Sequence, residues 1–303
     1  VSASSNTEIV DAHAKLNLFL RVLGRRPDGY HEVETAILPI SLADRLTIHA
    51  SAEPGLFRTL SLELRLTGDP DLVAGVPADE SNLVVRAATE LAGRGGTKGF
   101  AEITLHKRVP SAAGLGGGSA DAAATLHALN RLWGAGLDAG SLMDVAARVG
   151  SDVPALLFGA PLMARGRGEL LEPFPTPAFR WLILPLPFAV STADAYRWWD
   201  EDGEVTGPDP AALCAAATAA DGDVGSVGRL LFNDLEAPVT RRHPAITEAK
   251  ARLQAAGAAG VVMTGSGPTV VGLFREEPSI SVDGAIEVES WPSVDGGRSA
   301  QDA

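Results

Sequence analysis

Residues 101–132 read AEITLHKRVPSAAGLGGGSADAAATLHALNRL, and the succession of patterns in this stretch decides the fold. The first part alternates, with Ile103, Leu105 and Val109 on one face, which predicts a half-buried strand. A loop with four glycines follows at once: Gly114, Gly116, Gly117 and Gly118. From Ser119 the spacing turns helical, and Ala122, Leu126, Leu129 and Trp133 fall on one stripe. Strand, glycine loop and helix in this order form an anion-binding device. Glycine lets the backbone approach a phosphate closely and adopt positive φ. The first amides of the helix lack partners there, and its dipole favours negative charge. Ser119, opening the predicted helix, offers a hydroxyl to a cap, a phosphate or a magnesium ion. A flexible glycine turn is the plainer alternative and needs fewer glycines. The loop is not a Walker A motif, because no Gly-Lys-Ser/Thr follows, and Gly114-x-Gly116-x-x-Ser119 lacks the third glycine of a dinucleotide fingerprint. Protein-kinase signatures are also missing.

Working outward, residues 6–23 read as strand and residues 25–29, Arg-Arg-Pro-Asp-Gly, as a turn. Strands are predicted over 32–48 and 56–66, and a helix over 82–92 with its cap at Asp79 or Ser81. Beyond the glycine loop, 141–149 reads as a helix, 155–163 and 180–186 as strands, and 211–220 and 245–256 as alanine-rich helices. Residues 203–210 read as an exposed loop. A second small-residue loop, Thr264-Gly265-Ser266-Gly267-Pro268, separates Val261-Val262 from Val270-Val271. It is either a hairpin turn or a second wall around a phosphate. After Phe274 only short strands within 280–288 are suggested, and 296–303 reads as a frayed tail. Strands precede helices without regular βαβ alternation, which favours an α+β fold over a doubly wound sheet.

The chain has 303 residues, enough for two ordinary domains or one large one. Its apolar fraction of 46% and charged fraction of 21% are those of a soluble globular protein. The longest strongly apolar run, residues 181–190, is interrupted by Pro185 and Pro187, whereas a membrane span takes about 20 residues. No secretory signal is expected from the first residues, which lack a basic start and an apolar core. The lone Cys214 precludes an internal disulfide and fits a reducing compartment, so a cytoplasmic enzyme is expected. The net charge of −13 argues against a nucleic-acid partner. Residues 1–163 carry 14 basic and 18 acidic side chains, the remainder 11 and 20. A polyphosphate is then held by local cations and amides against a repulsive overall field.

Four sets of residues are candidates for chemistry. Lys15 and Asn17 share one face of a strand, opposite Leu16 and Leu18, as a solvated face or a polar site. Asp152, in Gly-Ser-Asp-Val-Pro, is a cap or turn former; buried beside a lysine it would orient and deprotonate an alcohol. Tyr30-His31 follow a glycine turn and suit recognition of a flat base. Lys107 and Arg108 are the cations nearest the glycine loop, or simply a solvated strand end.

Taken together, Ala14-Lys15-Leu16-Asn17-Leu18, Pro27-Asp28-Gly29-Tyr30-His31-Glu32, Val109-Pro110 through Ser119, Ser151-Asp152-Val153-Pro154 and Thr264-Gly265-Ser266-Gly267 occur in an order that resembles the 4-diphosphocytidyl-2-C-methyl-D-erythritol kinases of the GHMP kinase superfamily. Asn82-Leu83 and the stretch from Ser191 through Thr192, Ala193 and Asp194 to Tyr196 are similar too. The resemblance runs from about residue 9 to 274. It implies an α+β fold of two domains: an ATP-binding one over 1–163, like ribosomal protein S5 domain 2, and a ferredoxin-like one over 164–303. It implies ATP-dependent phosphorylation of the 2-hydroxyl of the cytidyl alcohol, with Mg2+ bridging phosphates. Asp152 would be the base and Lys15 its partner, and Asn17 would orient the substrate. Tyr30 and His31 would hold the cytosine, and Thr264, Gly265 and Ser266 would also meet the substrate. Pro110, Ser111, Ala112, Ala113, Gly114, Leu115, Gly116, Gly117, Gly118, Ser119 and Ala120 would hold the ATP phosphates, with Lys107 and Asn82 near the adenosine.

Two features depart from the family pattern. Ile37 stands where an aromatic often boxes the base, and residues 275–303 lack the expected terminal helix and strand. Two other readings stand beside this one. Another kinase of the superfamily would act on homoserine, a mevalonate derivative or a sugar, none of which carries a base for Tyr30-His31. A nucleotide-binding protein without catalysis would have no need of both Lys15 and Asp152. Monomer and homodimer fit equally.

Overall fold

The computed structural model describes residues 6–52, 59–203, 207–219 and 223–291. Its elements begin with strands β1 (Asn6–Arg25), β2 (His31–Ser51) and β3 (Ser61–Gly68), then helices α1 (Pro70–Val73) and α2 (Leu83–Gly95) and strand β4 (Phe100–Lys107). Helices α3 (Gly117–Leu132), α4 (Ala139–Val149) and α5 (Val153–Phe158) follow, then strands β5 (Leu162–Gly166), β6 (Leu170–Pro173) and β7 (Arg180–Leu184). The remainder comprises α6 (Thr192–Asp202), α7 (Pro210–Thr218), α8 (Val224–Leu230), β8 (Phe232–Asn233), α9 (Glu236–Arg242), α10 (Ala245–Ala255), β9 (Gly260–Met263), β10 (Val270–Phe274) and β11 (Ile286–Glu289). Two compact units divide these elements, and neither is continuous in the chain. The first holds Val1–Ala14, Leu42–Ser111 and Gly116–Phe158; the second holds Lys15–Ser41, Ala112–Leu115 and Gly159–Ala303.

In the first unit the strand order is β3-β4-β2-β1. Strand β4 runs parallel to β3, with Ser61 opposite Phe100, and antiparallel to β2, with Arg45 opposite His106. Helices α2 to α5 pack with the strands around one core that includes Leu46, Ile48, Leu91, Ile103, Leu105, Leu126 and Leu129. Ala122, Leu126, Leu129 and Trp133 are all buried, as the helical stripe predicts. Two boundaries differ from the sequence reading. Helix α2 is capped by Asn82, whose Oδ1 accepts the N–H of Val84 at 2.9 Å, while Asp79 accepts Ser81 N–H in the turn before it. The apolar stretch expected as strand over 155–163 begins instead as helix α5, with Val153, Pro154, Ala155, Leu156 and Leu157 all buried. A short, wholly buried apolar run carries no period to separate helix from strand.

In the second unit β2 pairs antiparallel with β5, Val33 opposite Gly166, and β1 pairs parallel with β8, Phe19 opposite Phe232. A separate four-stranded sheet has the order β11-β7-β10-β9. Its residues Leu182, Leu184, Val270 and Phe274 share a core with Trp199, Leu235, Ile246 and Leu253. Strands β9 and β10 form the hairpin expected around residues 264–268. Strand β11 pairs with β7 and lies within the predicted 280–288 region except for its last residue, so the chain after Phe274 does return to the sheet. Part of the predicted strand over 56–66, part of the loop over 203–210, the last residue of the helix over 211–220 and the tail over 296–303 lie outside the described residues.

Candidate active site

In the second unit three segments converge on Lys15. Residues 14–20 of β1 are buried on both faces, so the alternation that suggests a solvated face for Lys15 and Asn17 does not hold. Each is only 4% exposed. Burial at this depth demands partners. The Lys15 ammonium donates to Asn17 Oδ1 at 2.5 Å and to the carbonyl of Gly114 at 3.1 Å. Asn17 Nδ2 donates to Thr35 Oγ1 at 2.7 Å, and the Asn17 backbone N–H donates to Thr264 Oγ1 at 2.8 Å. The Lys15 backbone N–H donates to Leu115 O at 2.9 Å, which ties the strand to the glycine loop.

Glycine is obligatory where these segments touch. Gly114 has φ +76°, and a Cβ there would overlap the carbonyl of Thr264. Gly265 has φ +58°, and its Cβ would lie 2.9 Å from Gly114 O and 3.3 Å from Lys15 Nζ. Sequence reasoning missed Asn233, which holds this turn from below. Its Nδ2 donates to Met263 O at 2.7 Å and to Gly265 O at 2.8 Å, and its Oδ1 accepts Leu235 N–H. The polar pair Asn233-Asp234 set between Phe232 and Leu235 was the available signal.

In the first unit the helix after the loop opens two residues before Ser119. Gly116, with φ +70°, supplies the N-cap without a side chain, and the first helical bond runs from Ala120 N–H to Gly116 O at 2.9 Å. The amides of Gly117, Gly118 and Ser119 precede that bond, as an anion site requires. Ser119 is therefore a third-position residue and not the cap; it is half-buried, while Gly118 is exposed. Pro110 is half-buried and Ser111 exposed, whereas Ala113, Leu115 and Ala120 are buried. Ala112 is exposed and adopts φ +52°, a left-handed conformation rare outside glycine.

Lys107 is not a solvated strand end. It shares the buried face of Ile103 and Leu105, is 3% exposed, and ion-pairs with Asp44 and with Asp121, the latter at 3.0 Å. Burial opposes its charge, but the two carboxylates prevail and hold its pKa above the ordinary lysine value. Burial, helped by Asp44 and opposed by Lys107, pushes the Asp121 carboxyl up to about 8. Arg108 is exposed. Asn82 spends both ends of its amide locally, capping α2 and donating to Pro77 O at 2.6 Å. Asp152 is half-buried just ahead of α5, and its carbonyl accepts Leu156 N–H at 3.2 Å.

The turn before Tyr30 closes through Arg26 N–H to Tyr30 O at 2.7 Å and Gly29 N–H to Arg26 O at 3.0 Å. The two residues after it part company. His31 stacks on Tyr196 with ring centroids 4.6 Å apart, meets the edge of Trp199, and places Nε2 2.8 Å from Asp200 Oδ1. Tyr30 is 55% exposed, with the Arg167 guanidinium 5.1 Å from its ring centroid. Helix α6, which supplies Tyr196, Trp199 and Asp200, begins after Ser191, whose hydroxyl accepts Asp194 N–H. Its first residue, Thr192, places Oγ1 3.1 Å from Ser266 Oγ in the 264–268 turn. The Ser-x-x-Asp capping pattern was legible there, but the ring contacts were not.

Comparison with known proteins identifies the family. Residues 82–160 match the GHMP kinases N terminal domain and residues 212–282 the GHMP kinases C terminal family. A 4-diphosphocytidyl-2-C-methyl-D-erythritol kinase of Symbiobacterium thermophilum is 44% identical over 268 residues, covering 88% of this chain and 90% of the relative. One from Pelotomaculum thermopropionicum is 45% identical over 266 residues, covering 88% of each. A crystal structure of 4-(cytidine 5'-diphospho)-2C-methyl-D-erythritol kinase superposes with a TM-score of 0.70 at 36% identity, over 88% of this chain and 90% of that one. The homoserine kinase of Cytophaga hutchinsonii, at 19% identity and a TM-score of 0.65 over 97% of this chain and 96% of that one, shares the fold. The α+β architecture is thus that of the GHMP kinases, and the chain belongs to the 4-diphosphocytidyl-2-C-methyl-D-erythritol kinase family.

Proposed function

We propose that this chain transfers the γ-phosphoryl group of ATP to the 2-hydroxyl of 4-diphosphocytidyl-2-C-methyl-D-erythritol, yielding the 2-phosphate and ADP in the non-mevalonate route to isoprenoids. The observation that carries this reading is the 44% identity, sustained over 88% of the chain, with a kinase of that name. Likeness to homoserine kinase extends to the fold alone. ATP is the co-substrate of GHMP kinases.

In this reading Asp152 accepts the proton of the hydroxyl as its oxygen forms the new P–O bond and the bond to ADP breaks. Lys15 stabilises charge on the base and on the transferred group, and Asn17 orients the alcohol. The interlocked bonds of Lys15 and Asn17 to Gly114 and Thr264 support this, because they fix an ammonium that water does not screen. Tyr30 and His31 hold the cytosine, and the His31–Tyr196 stack favours a flat ligand there. Thr264, Gly265 and Ser266 meet the rest of the substrate. Residues 110–120 hold the ATP phosphates through backbone amides. Asn82 and Lys107 border the adenosine through the backbone they anchor, since both side chains are already engaged. When bound, Mg2+ would offset phosphate charge. It travels with the nucleotide and needs only one or two protein oxygens, for which the half-buried Ser119 hydroxyl at the head of α3 is suited.

The ATP-binding domain is assigned to residues 1–163 and the C-terminal domain to 164–303, with the two family matches falling on either side. The enzyme is read as cytoplasmic, and as a monomer or homodimer. Among the described residues no helix is long and apolar enough to cross a membrane. Turnover of a panel comprising the cytidyl alcohol, homoserine, mevalonate and a sugar tests the substrate. Activity on homoserine with none on the cytidyl alcohol would overturn it.

A further inference from the structure

The first unit contains a buried charge cluster around Lys107, two of whose members, Asp44 and Asp121, have no role in the proposed function. Asp44 of β2 is fully buried, Lys107 at the end of β4 is 3% exposed and Asp121 of α3 is 2% exposed. Asp44 divides its carboxylate. Oδ1 accepts the backbone N–H groups of Arg108 at 2.5 Å and Val109 at 2.9 Å, and Oδ2 accepts the Lys107 ammonium. The same ammonium reaches Asp121 Oδ2 at 3.0 Å. These contacts sit on both flanks of the glycine loop. Arg108 and Val109 lead into it, and Asp121 lies on the helix whose first amides close it. Gly117, the first residue of that helix, is pressed so closely on Val109 that a Cβ would lie 3.0 Å from its Cγ1 and 3.5 Å from Asp44 Oδ2.

A cluster of two carboxylates and one lysine is a poor way to stabilise a core. Well-packed apolar residues of similar volume serve as well or better, whereas removing one charged member strands the others. What charges do supply is direction. Here, hydrogen bonds of fixed length hold the strand end and the helix head at one separation. Oδ1 of Asp121 is buried without a hydrogen-bond partner, and its carboxyl is pushed up to about 8 by burial, so the cluster tolerates one neutral member.

We propose that Asp44, Lys107 and Asp121 are positioning residues that set the glycine loop's flanking backbone, and thereby ATP affinity, without touching the nucleotide. This rests on reading the glycine loop as the ATP phosphate site. Direct ATP titration, steady-state kinetics and melting of the full chain test it with three variants. Asp44→Asn loses the carboxylate facing Lys107 and puts an amide N–H₂ against the ammonium or the two backbone donors. It should raise the ATP dissociation constant and KM about tenfold or more, with kcat and the alcohol KM within about threefold. Asp121→Leu removes the acceptor that ties Lys107 to α3 and should raise the ATP dissociation constant about threefold or more, with kcat within about threefold; an unaltered ATP affinity in the folded variant removes Asp121 from the positioning set.

Gly118→Asp tests the underlying reading, because a Cβ at Gly118 meets only Leu83 Cδ1, at 3.7 Å, and the added carboxylate puts negative charge among the loop's helix-head amides. If Gly118→Asp leaves ATP binding unchanged, the loop is not the phosphate site. If Gly118→Asp weakens ATP while Asp44→Asn does not, or lowers only the melting temperature, the positioning role is overturned. Should Asp44→Asn fail to fold, Lys107→Arg keeps the charge but not the length, and an unchanged ATP affinity in that variant overturns the proposal equally.

Discussion

The Lys15 ammonium donates to the carbonyl of Gly114 across 3.1 Å, so the strand lysine read as catalytic also fastens the glycine loop. Lys15→Met removes the charge at nearly constant length and leaves Gly114 O and Asn17 Oδ1 without this donor. We predict a fall in kcat of about 10²–10³-fold. Destabilisation of about 1–3 kcal/mol should accompany it. Stopped assays and thermal melts separate the two effects. A kcat within threefold of the parent at full folding would remove Lys15 from the chemistry.

Asp152→Asn keeps the shape of the side chain and loses its basicity. The expected result is a loss of about 10²–10⁴-fold in kcat. ATP affinity, measured without the alcohol, should be spared. Wild-type rates in this variant would end the assignment of Asp152 as base.

His31→Ala unmakes the stack on Tyr196. In the proposed reading the His31 ring also meets the base, a contact worth about 0.5–1.5 kcal/mol, so the KM for the cytidyl alcohol should rise about 3–10-fold, more if ring hydrogen bonds to the base are also lost. The KM for ATP should not move. Equal rises in both would place His31 outside the base site.

Gly265→Ala would force a side chain into φ +58° and within 2.9 Å of Gly114 O. We expect a loss of about 2 kcal/mol or more, with activity falling in parallel. Gly118→Ala, which meets only Leu83 Cδ1 at 3.7 Å, should change stability by no more than about 0.5 kcal/mol. Denaturant titration of both variants checks the contrast, and similar losses would contradict it.

Asp121 gives the fold a particular pH dependence. Its carboxyl titrates at about 8 when folded against 3.8 unfolded, so between those values the folded state binds more protons. Stability from this group therefore declines as pH rises through that window. Asp121→Asn removes the penalty. Its advantage over the parent should be small near pH 4 and largest at pH 8–9, on the order of 1–4 kcal/mol. An advantage that shrinks as pH rises would show the sign to be wrong.

Much of this was legible locally. Alternation through Ile103 and Leu105 put Lys107 on the buried face by parity alone, although its identity as a lysine argued for solvent. The glycine loop announced itself, but the start of α3 did not, because Gly116 caps by backbone conformation and leaves no side-chain signature. Helix α5 was hidden by uniform burial. The partners of His31 and of the 264–268 turn lie on α6 and at Asn233, far along the chain, where periodicity carries no information.

The discontinuous make-up of the second unit bears on how the protein is made. Strand β1 is synthesised roughly two hundred residues before β8, its parallel partner, which at about 5–20 residues per second is a wait on the order of ten to forty seconds. A nascent chain stalled before residue 264 already carries Lys15 and the glycine loop, yet lacks the Thr264 hydroxyl that holds Asn17. Pulse proteolysis of ribosome-stalled chains should accordingly cut residues 15–41 until the β9–β10 hairpin has emerged. Protection at a shorter length would break this order. Any product interrupted before residue 264 thus lacks the hydroxyl that anchors Asn17 beside Lys15.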